Sequence, residues 1–185
     1  MESKLQIISG AFRGRKLFLP PDARPTQNRA RIALFNMLRE ILAPDARITV
    51  WDAFAGSGAF AIEILSQYPN ASAIFTDTAP SSVRTITRNL GVVGADARAV
   101  ITHGDAIGAI NKYAPLSNVI FVDPPYADGK LGAVFVKKLG HVVSPGTILV
   151  WEQDASASIA PNENTWQTLR DKTYGRARFY VLRKI

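Results

Sequence analysis

The 185-residue chain has no cysteine and only two histidines, His103 and His141, which are far apart in the sequence. Without cysteine the protein cannot contain disulfide bonds, thiolate zinc sites or cysteine nucleophiles. Two separated histidines also do not form the start of a metal-ligand cluster. We therefore expect neither a structural nor a catalytic metal.

Long apolar runs are also missing. No stretch reaches the length needed to span a membrane, and residues 1–4 do not begin a signal-peptide pattern. We therefore expect a cytoplasmic protein with no membrane partner. Hydrophobic residues make up 47% of the chain and charged residues 20%, which is typical of a globular protein, and the length predicts one domain spanning residues 1–185.

The formal net charge of +7 is distributed unevenly. Residues 1–47 contain nine Lys or Arg against four Asp or Glu, and residues 170–185 contain six against one, whereas residues 48–169 contain seven against ten. Basic segments at both ends predict a docking surface for a polyanion, built from the two termini. Ordinary solvated surface charge is the alternative, and charge alone does not distinguish RNA, DNA and an anionic membrane.

Strands and helices alternate along most of the chain. Residues 5–9 and 16–19 are predicted to form an N-terminal β-hairpin with a basic tip, and a helix is predicted from a cap at Thr26 through about Leu42. Seven further strands are predicted at 48–51, 73–76, 99–102, 119–122, 147–151, 165–169 and 178–182, with helices between the first five. This order predicts an α/β fold with a doubly wound, mostly parallel seven-stranded sheet in residues 48–185, preceded by a hairpin and helix extension in residues 1–47.

A glycine-bearing loop, residues 52–58, follows the first core strand and precedes a helix. Its glycines permit a tight turn and a close ligand approach, and the helix start can receive polar ligand groups. Asp77 ends the second strand and suits a ribose diol, and Asp105 follows the third strand, where it could reach an exocyclic base amine. Helix capping or surface exposure is the alternative for each acid. The loop lacks the full dinucleotide and P-loop motifs, which favours a ligand with one nucleoside and no pyrophosphate.

Asp123-Pro124-Pro125-Tyr126 ends the fourth strand. The two prolines fix φ and have no backbone N–H, which leaves carbonyl groups free to accept hydrogen bonds from outside the chain. A carboxylate, a free carbonyl and an aromatic ring suit a planar group that carries an NH2, such as a nucleobase. The alternative interpretation is a Pro-Pro turn with a stacked tyrosine.

These two motifs together resemble those of S-adenosylmethionine-dependent amino-methyltransferases, whose fourth-strand motif [DNS]-P-P-[YFW] accompanies methylation of exocyclic nitrogens. The segments 7–10 and 13–17, and Arg24-Pro25-Thr26 followed by Arg29 and Arg31, resemble the RsmD family, and this resemblance extends from about Leu5 to Lys184. It implies a Rossmann-like methyltransferase fold, S-adenosyl-L-methionine as cofactor, and methylation of guanine N2 in bacterial 16S ribosomal RNA, with an assembled 30S subunit as substrate. Asn28 and Ile32 replace acidic residues usual in the family, and Asp77 replaces a glutamate, which shortens the reach to the ribose.

The resemblance and the motifs assign three groups of residues, in a protein that we expect to be a monomer. The catalytic residues are Asp123, Pro124, Pro125 and Tyr126. The cofactor-binding residues are Asp52, Phe54, Ala55, Gly56, Ser57, Gly58, Asp77, Asp105, Ala106, Arg24 and Thr26. The RNA-binding residues are Arg13, Arg15, Lys16, Arg29, Arg31, Arg176 and Arg178, although residues 24–29 could serve either the cofactor or the RNA.

Two other functions fit the same motifs. An adenine-N6 or cytosine-N4 DNA methyltransferase would use the same fourth-strand motif, although no segment is long enough for a separate DNA-reading domain. A non-catalytic RNA-binding factor for ribosome assembly could also use this scaffold, although the intact Asp123 and glycine loop argue against it.

Overall fold

A seven-stranded sheet with helices on both faces organises the structure. The computed structural model describes residues 5–21, 28–125, 130–157 and 159–185. The strands are β1 (Thr49–Asp52), β2 (Ser72–Asp77), β3 (Ala99–His103), β4 (Val119–Val122), β5 (Ile148–Asp154), β6 (Trp166–Tyr174) and β7 (Ala177–Lys184). The helices are α1 (Asn28–Ile41), α2 (Ala59–Gln67), α3 (Pro80–Val93), α4 (Ala106–Tyr113) and α5 (Leu131–Leu139). The predicted α/β fold is confirmed.

The strand order is β3-β2-β1-β4-β5-β7-β6. The first five strands pair in parallel, and β7 lies antiparallel between β5 and β6. From β1 the chain first adds β2 and β3 on one side and later adds β4 and β5 on the other. The carboxyl ends of β1 and β4 therefore flank the point where the order reverses, which is where open α/β sheets bind ligands.

Alternate residues of the central strands face two separate cores. Val50 and Val150 lie in the core that packs against α1, α2 and α3, whereas Trp51 and Trp151 lie in the core that packs against α4 and α5. Because both faces are covered, a central strand such as Val119–Val122 is buried at every position. Among the described residues no helix is both long and apolar enough to cross a membrane.

The N-terminal hairpin is less regular than predicted. Its two expected strands are reduced to one antiparallel bridge, between Gln6 and Lys16. The backbone N–H groups of Ile8 and Ser9 instead donate to the buried carboxylate of Glu63 in α2, each at 2.8 Å. The expectation of two regular strands is therefore corrected, because α2 satisfies backbone groups that a longer ladder would have used.

Ser66, one turn after Glu63 in α2, fixes the tip of the hairpin. Its hydroxyl donates to the carbonyl oxygen of Ser9 at 2.6 Å and accepts from the backbone N–H of Phe12 at 2.9 Å. Gly10 has a φ of 83°, and a Cβ on it would lie 2.0 Å from the carbonyl oxygen of Ser66. This close approach requires glycine at position 10.

Arg31 connects α1 to the same helix. Its side chain is buried, its Nη2 lies 3.5 Å from a carboxylate oxygen of Glu63, and its Nη1 donates to the carbonyl oxygen of Gln6 at 3.2 Å. Burial lowers the pKa of Arg31, and the negative charge of Glu63 partly opposes that shift. RNA binding by Arg31 stays a prediction, and in this arrangement its guanidinium is enclosed within the protein and holds the extension to the core.

Candidate active site

The glycine loop connects β1 to α2 and is held against the neighbouring strands by its own backbone. The N–H of Ala53 donates to the carbonyl of Phe121 in β4 at 3.1 Å, and the N–H of Ala55 donates to the carbonyl of Thr76 in β2 at 3.0 Å. Gly56 and Gly58 have left-handed φ values of 52° and 74°. Among the described residues, no atom outside Gly56 and its two chain neighbours lies within 4 Å of the position that a Cβ on Gly56 would occupy, so a ligand can approach the backbone there.

Asp77 closes this loop onto the end of β2. One carboxylate oxygen accepts from the N–H of Gly56 and the other accepts from the N–H of Ala79, both at 2.8 Å. Each carboxylate oxygen can accept more than one hydrogen bond, so the side chain keeps capacity for a hydroxyl donor. The predicted role in binding a ribose stays a prediction, and it is compatible with this position.

Asp52 is an almost fully buried carboxyl group under the loop. One of its oxygens accepts from the N–H of Ala61 at 3.4 Å, and the other has no hydrogen-bond partner among the residues that the structure describes. Burial raises the pKa of Asp52 well above its usual value, the bond from Ala61 opposes this shift, and the charge of Asp77 adds to it. An unpaired buried oxygen at the end of β1 is suited to receive a donor from a ligand.

Asp105 caps α4, which is the alternative that the sequence left open. Its side chain is exposed and one oxygen accepts from the N–H of Gly108 at 2.8 Å. Ala106 follows as the buried first residue of the helix. Contact of Asp105 with a base amine stays a prediction. Phe54 packs on the face of the sheet that α4 and α5 cover, with its ring 5.2 Å from that of Phe135 in α5.

Asp123 follows β4 directly and is half-buried, with Pro124 buried and Pro125 exposed. Burial raises the pKa of Asp123 well above its usual value, and the negative charges of Glu152 and Asp52 raise it further. These three carboxyl groups belong to the carboxyl ends of β4, β5 and β1, so the ends of the central strands form an acidic centre with little access to water. A carboxyl group with a raised pKa is a better proton acceptor than an ordinary carboxylate.

Three of the predicted site residues lie outside the described residues: the aromatic residue Tyr126 and the two cofactor candidates Arg24 and Thr26. Within the part of the chain that is described, no group of three or more His, Asp or Glu side chains is arranged to hold a metal.

Asn89 in α3 supports the site and was not identified from the sequence. Its side chain is fully buried, its Oδ1 accepts from the N–H of Phe18 at 2.7 Å, and its Nδ2 donates to the carbonyl of Phe18 at 3.0 Å and of Ser57 at 2.8 Å. One side chain therefore joins the extension to the glycine loop. The available signal was a polar residue on the apolar face that Ile86 and Leu90 define.

The predicted RNA-binding residues separate into two regions. Arg13, Arg15 and Lys16 are exposed on the hairpin, and Arg29 is exposed in the first turn of α1. Arg176 lies in the turn before β7 and Arg178 lies on β7, at the edge of the sheet away from β3. Arg176 is paired with Asp154 and Arg178 with Asp171. The structure therefore does not bring the two basic termini into one unpaired cluster, and RNA contact by Arg176 and Arg178 stays a prediction.

Comparison with known proteins identifies the family. A family model described as conserved hypothetical protein 95 matches residues 5–183. The ribosomal RNA small subunit methyltransferase D of Escherichia coli K12 is 31% identical over 186 residues, which cover 98% of this chain and 90% of that protein. The chain belongs to the RsmD family.

Solved structures of other methyltransferases have the same fold as this RsmD family member. An Escherichia coli protein described as the methyltransferase yhhF superposes with a TM-score of 0.81 and 27% identity, over 97% of both chains. An RNA methyltransferase from Salinibacter ruber, in complex with S-adenosyl-L-homocysteine, superposes with a TM-score of 0.65 and 17% identity, over 87% of this chain and 94% of that one. The predicted Rossmann-like methyltransferase sheet is confirmed.

The residues of this RsmD family member fit S-adenosylmethionine as cofactor. The open space at Gly56 allows close approach, the Asp77 carboxylate adjoins it, and Asp52 contributes a buried oxygen to which no described residue donates a hydrogen bond. These groups combine a tight backbone approach with acceptors for hydroxyl and ammonium donors, which is the set that an amino acid joined to a nucleoside requires.

Proposed function

We propose that the protein methylates the exocyclic N2 amine of a guanine in 16S ribosomal RNA, with S-adenosylmethionine as methyl donor. The observation that carries the proposal is Asp123-Pro124 at the end of the buried strand β4, beside the glycine loop that follows β1. Membership of the RsmD family and relatives named for methylation of small-subunit ribosomal RNA support the substrate class.

Cofactor binding is assigned to the residues around the glycine loop. When bound there, S-adenosylmethionine supplies an electrophilic methyl group. The backbone of residues 53–58 admits it closely, Asp77 accepts from ribose hydroxyl groups, and Asp105 lies at the end of the next strand for the base. Arg24 and Thr26 complete this proposed set.

Asp123 and the Pro124 carbonyl prepare the target amine. A guanine N2 amine is a weak nucleophile because its lone pair is delocalised into the ring. When the Asp123 carboxylate and the Pro124 carbonyl oxygen accept hydrogen bonds from the two N–H groups of this amine, the nitrogen becomes pyramidal and its lone pair is exposed. Asp123 then takes the proton that the methylated amine releases, and its raised pKa favours that step. Tyr126 is proposed to stack on the extruded base.

The test is transfer of labelled methyl from S-adenosylmethionine to three substrates in parallel: 30S subunits that lack the modification, free 16S RNA and duplex DNA. The labelled nucleosides are then identified. We expect N2-methylguanosine from a ribosomal substrate and no label in DNA. Label found as N6-methyladenine or N4-methylcytosine in DNA would instead establish the DNA methyltransferase. Absence of transfer to every substrate, together with RNA binding, would favour the non-catalytic assembly factor.

A further inference from the structure

We propose that the hairpin residues 10–18 and the exposed face of α3 form one RNA-docking surface, here called the hairpin–α3 surface. In this surface Arg84 and Arg88 bind phosphate groups, and the stacked pair of Phe18 and Arg88 receives an unpaired base. The assignment rests on the proposed function, since it identifies how the RNA substrate is held. It adds α3, which belongs to the acidic middle of the sequence, to the basic hairpin.

The hairpin and α3 are in direct contact. Nη1 of Arg15 donates to the carbonyl oxygen of Val92 near the end of α3 at 2.7 Å. The backbone of Phe18 forms two hydrogen bonds with the side chain of Asn89, at 2.7 and 3.0 Å. The segment that follows the hairpin tip is therefore fixed along the second half of α3, and the two elements present one continuous surface.

This surface is basic along both elements. Residues 5–19 contain three basic residues and α3 contains two, and neither segment contains an acid. The first turn of α3 also has no acid, although the helix dipole would favour one there. In the part of the chain that is described, neither Arg84 nor Arg88 is paired with an acid. Their charges are therefore available to a polyanion.

Phe18 and Arg88 form a flat cationic platform. The guanidinium carbon of Arg88 lies 3.3 Å from the centre of the Phe18 ring, and Arg88 is exposed while Phe18 is half-buried. A guanidinium that is stacked on a ring is held in one plane, and its outer face can stack on a nucleobase. Arg84 is also exposed and lies one helical turn away, about 6 Å along the axis, where it can bind a neighbouring phosphate.

The surface also adjoins the candidate active site. α3 begins at Pro80, three residues after Asp77, so Arg84 lies about one turn inside the helix that starts beside the glycine loop. Asn89 contacts both Phe18 and the carbonyl of Ser57 in that loop. RNA bound on the hairpin–α3 surface therefore lies next to the site where its base would react. An anionic membrane would use the positive charges but not the stacking platform, so RNA is the partner that the geometry favours.

The experiment measures binding of a fluorescently labelled single-stranded RNA of mixed sequence across a series of salt concentrations. The test variant is Arg84→Ala/Arg88→Ala. Its matched control is Lys137→Ala/Lys138→Ala, which removes two exposed positive charges from α5 on the opposite face of the sheet. We expect the test variant to bind the RNA roughly tenfold more weakly. The plot of log K against log salt should become shallower, with the magnitude of its negative slope reduced by about 1.4. The control should change neither quantity measurably.

A second variant tests stacking. Phe18→Leu keeps all charges, so we expect affinity for the same RNA to fall at least fivefold with an unchanged salt slope. Thermal unfolding and binding of S-adenosylhomocysteine should be unchanged in the double-arginine variant, which would show that the fold and the cofactor site are intact. Vesicles of phosphatidylserine and phosphatidylcholine provide the membrane comparison.

The proposed docking surface would be overturned if the arginine and lysine variants lost equal RNA affinity. It would also be overturned if Arg84→Ala/Arg88→Ala bound RNA as tightly as the parent protein. Loss of vesicle binding by that variant, with RNA binding retained, would overturn it as well. Methyl transfer by the parent decides the proposed function separately. If the parent methylates 30S subunits and the variant binds RNA normally, the surface alone is wrong; if the parent binds RNA through this surface without methylating it, the function alone is wrong.

Discussion

The carboxyl ends of the central strands and the hairpin–α3 surface are electrostatically opposite. At the strand ends Asp52 and Glu152 are buried and Asp123 is half-buried, and desolvation raises the pKa values of both aspartates. On the hairpin–α3 surface arginines remain exposed. A buried carboxyl group acts on atoms in contact with it and responds to pH, whereas exposed cations act over a longer range and respond to salt. The strand ends are therefore suited to chemistry and can be tested by varying the pH. The hairpin–α3 surface is suited to docking and can be tested by varying the salt concentration.

Asn89 is the described side chain that joins these two regions. It binds the backbone of Phe18 on one side and the carbonyl of Ser57 on the other, and it is fully buried. The two regions can therefore be altered one at a time or at their connection.

The largest effect is expected from Asp123→Ala. Loss of the acceptor for the target amine should reduce methyl transfer at least a thousandfold, equivalent to about 4 kcal/mol of transition-state stabilisation. Because this carboxyl group is desolvated and repelled by Glu152 and Asp52, its removal should not lower the thermal unfolding temperature. Single-turnover methylation measures the loss of methyl transfer, and calorimetry with S-adenosylhomocysteine measures whether the cofactor still binds. Full turnover would contradict the mechanism, and loss of cofactor binding would place Asp123 in the cofactor site instead.

The connection between the regions is tested by Asn89→Ala. This change leaves backbone groups of Phe18 and Ser57 without partners, so we expect a loss of about 2–4 kcal/mol in the free energy of unfolding. Release of the Ser57 carbonyl should also weaken S-adenosylhomocysteine binding roughly tenfold, or about 1.4 kcal/mol.

Asn118→Ala is the matched control for Asn89→Ala. Asn118 holds the backbone at the opposite end of the sheet, where it accepts from the N–H of Thr49 at 2.9 Å and donates to the carbonyl of Arg47 at 2.8 Å. Its loss should cost stability without changing cofactor affinity. If both variants weaken the cofactor equally, Asn89 has only a general structural role.

The sequence predicted the acidic end of the sheet better than the basic surface. Strand periodicity and the glycine loop are local patterns, so they correctly located Asp52, Asp77 and Asp123 at strand ends. The burial of Arg31 depends on its ion pair with Glu63 in another helix, and no local sequence pattern reveals such a partner. Counting charges by segment also concealed Arg88, since α3 lies in a stretch that is acidic on balance and becomes part of a basic surface only when the hairpin packs on it.

A smaller effect is expected from Glu152→Gln, which should change the pH dependence of methyl transfer. Asp123 must be ionised to accept the amine, so activity is lost as the pH falls below its raised pKa. Removing the negative charge of Glu152 lowers the pKa of Asp123 and should move this acidic limb to lower pH. Single-turnover rates across a pH series measure the shift, and Glu163→Gln, at an exposed position, is the control. A shift to higher pH would show that Glu152 acts on Asp123 by a different route.

The smallest effect is expected when single arginines of the two basic regions are compared. Arg13→Ala should reduce the salt slope of RNA binding by about 0.7, the value for one phosphate contact on a single strand. Arg178→Ala should reduce it less, because both oxygens of Asp171 accept hydrogen bonds from Arg178, at 2.9 and 2.8 Å. The double variant Arg178→Ala/Asp171→Ala leaves the net charge unchanged and isolates a direct phosphate contact. If this double variant lowers the slope as much as Arg13→Ala does, the carboxy-terminal strand also binds RNA, and docking extends to both edges of the sheet.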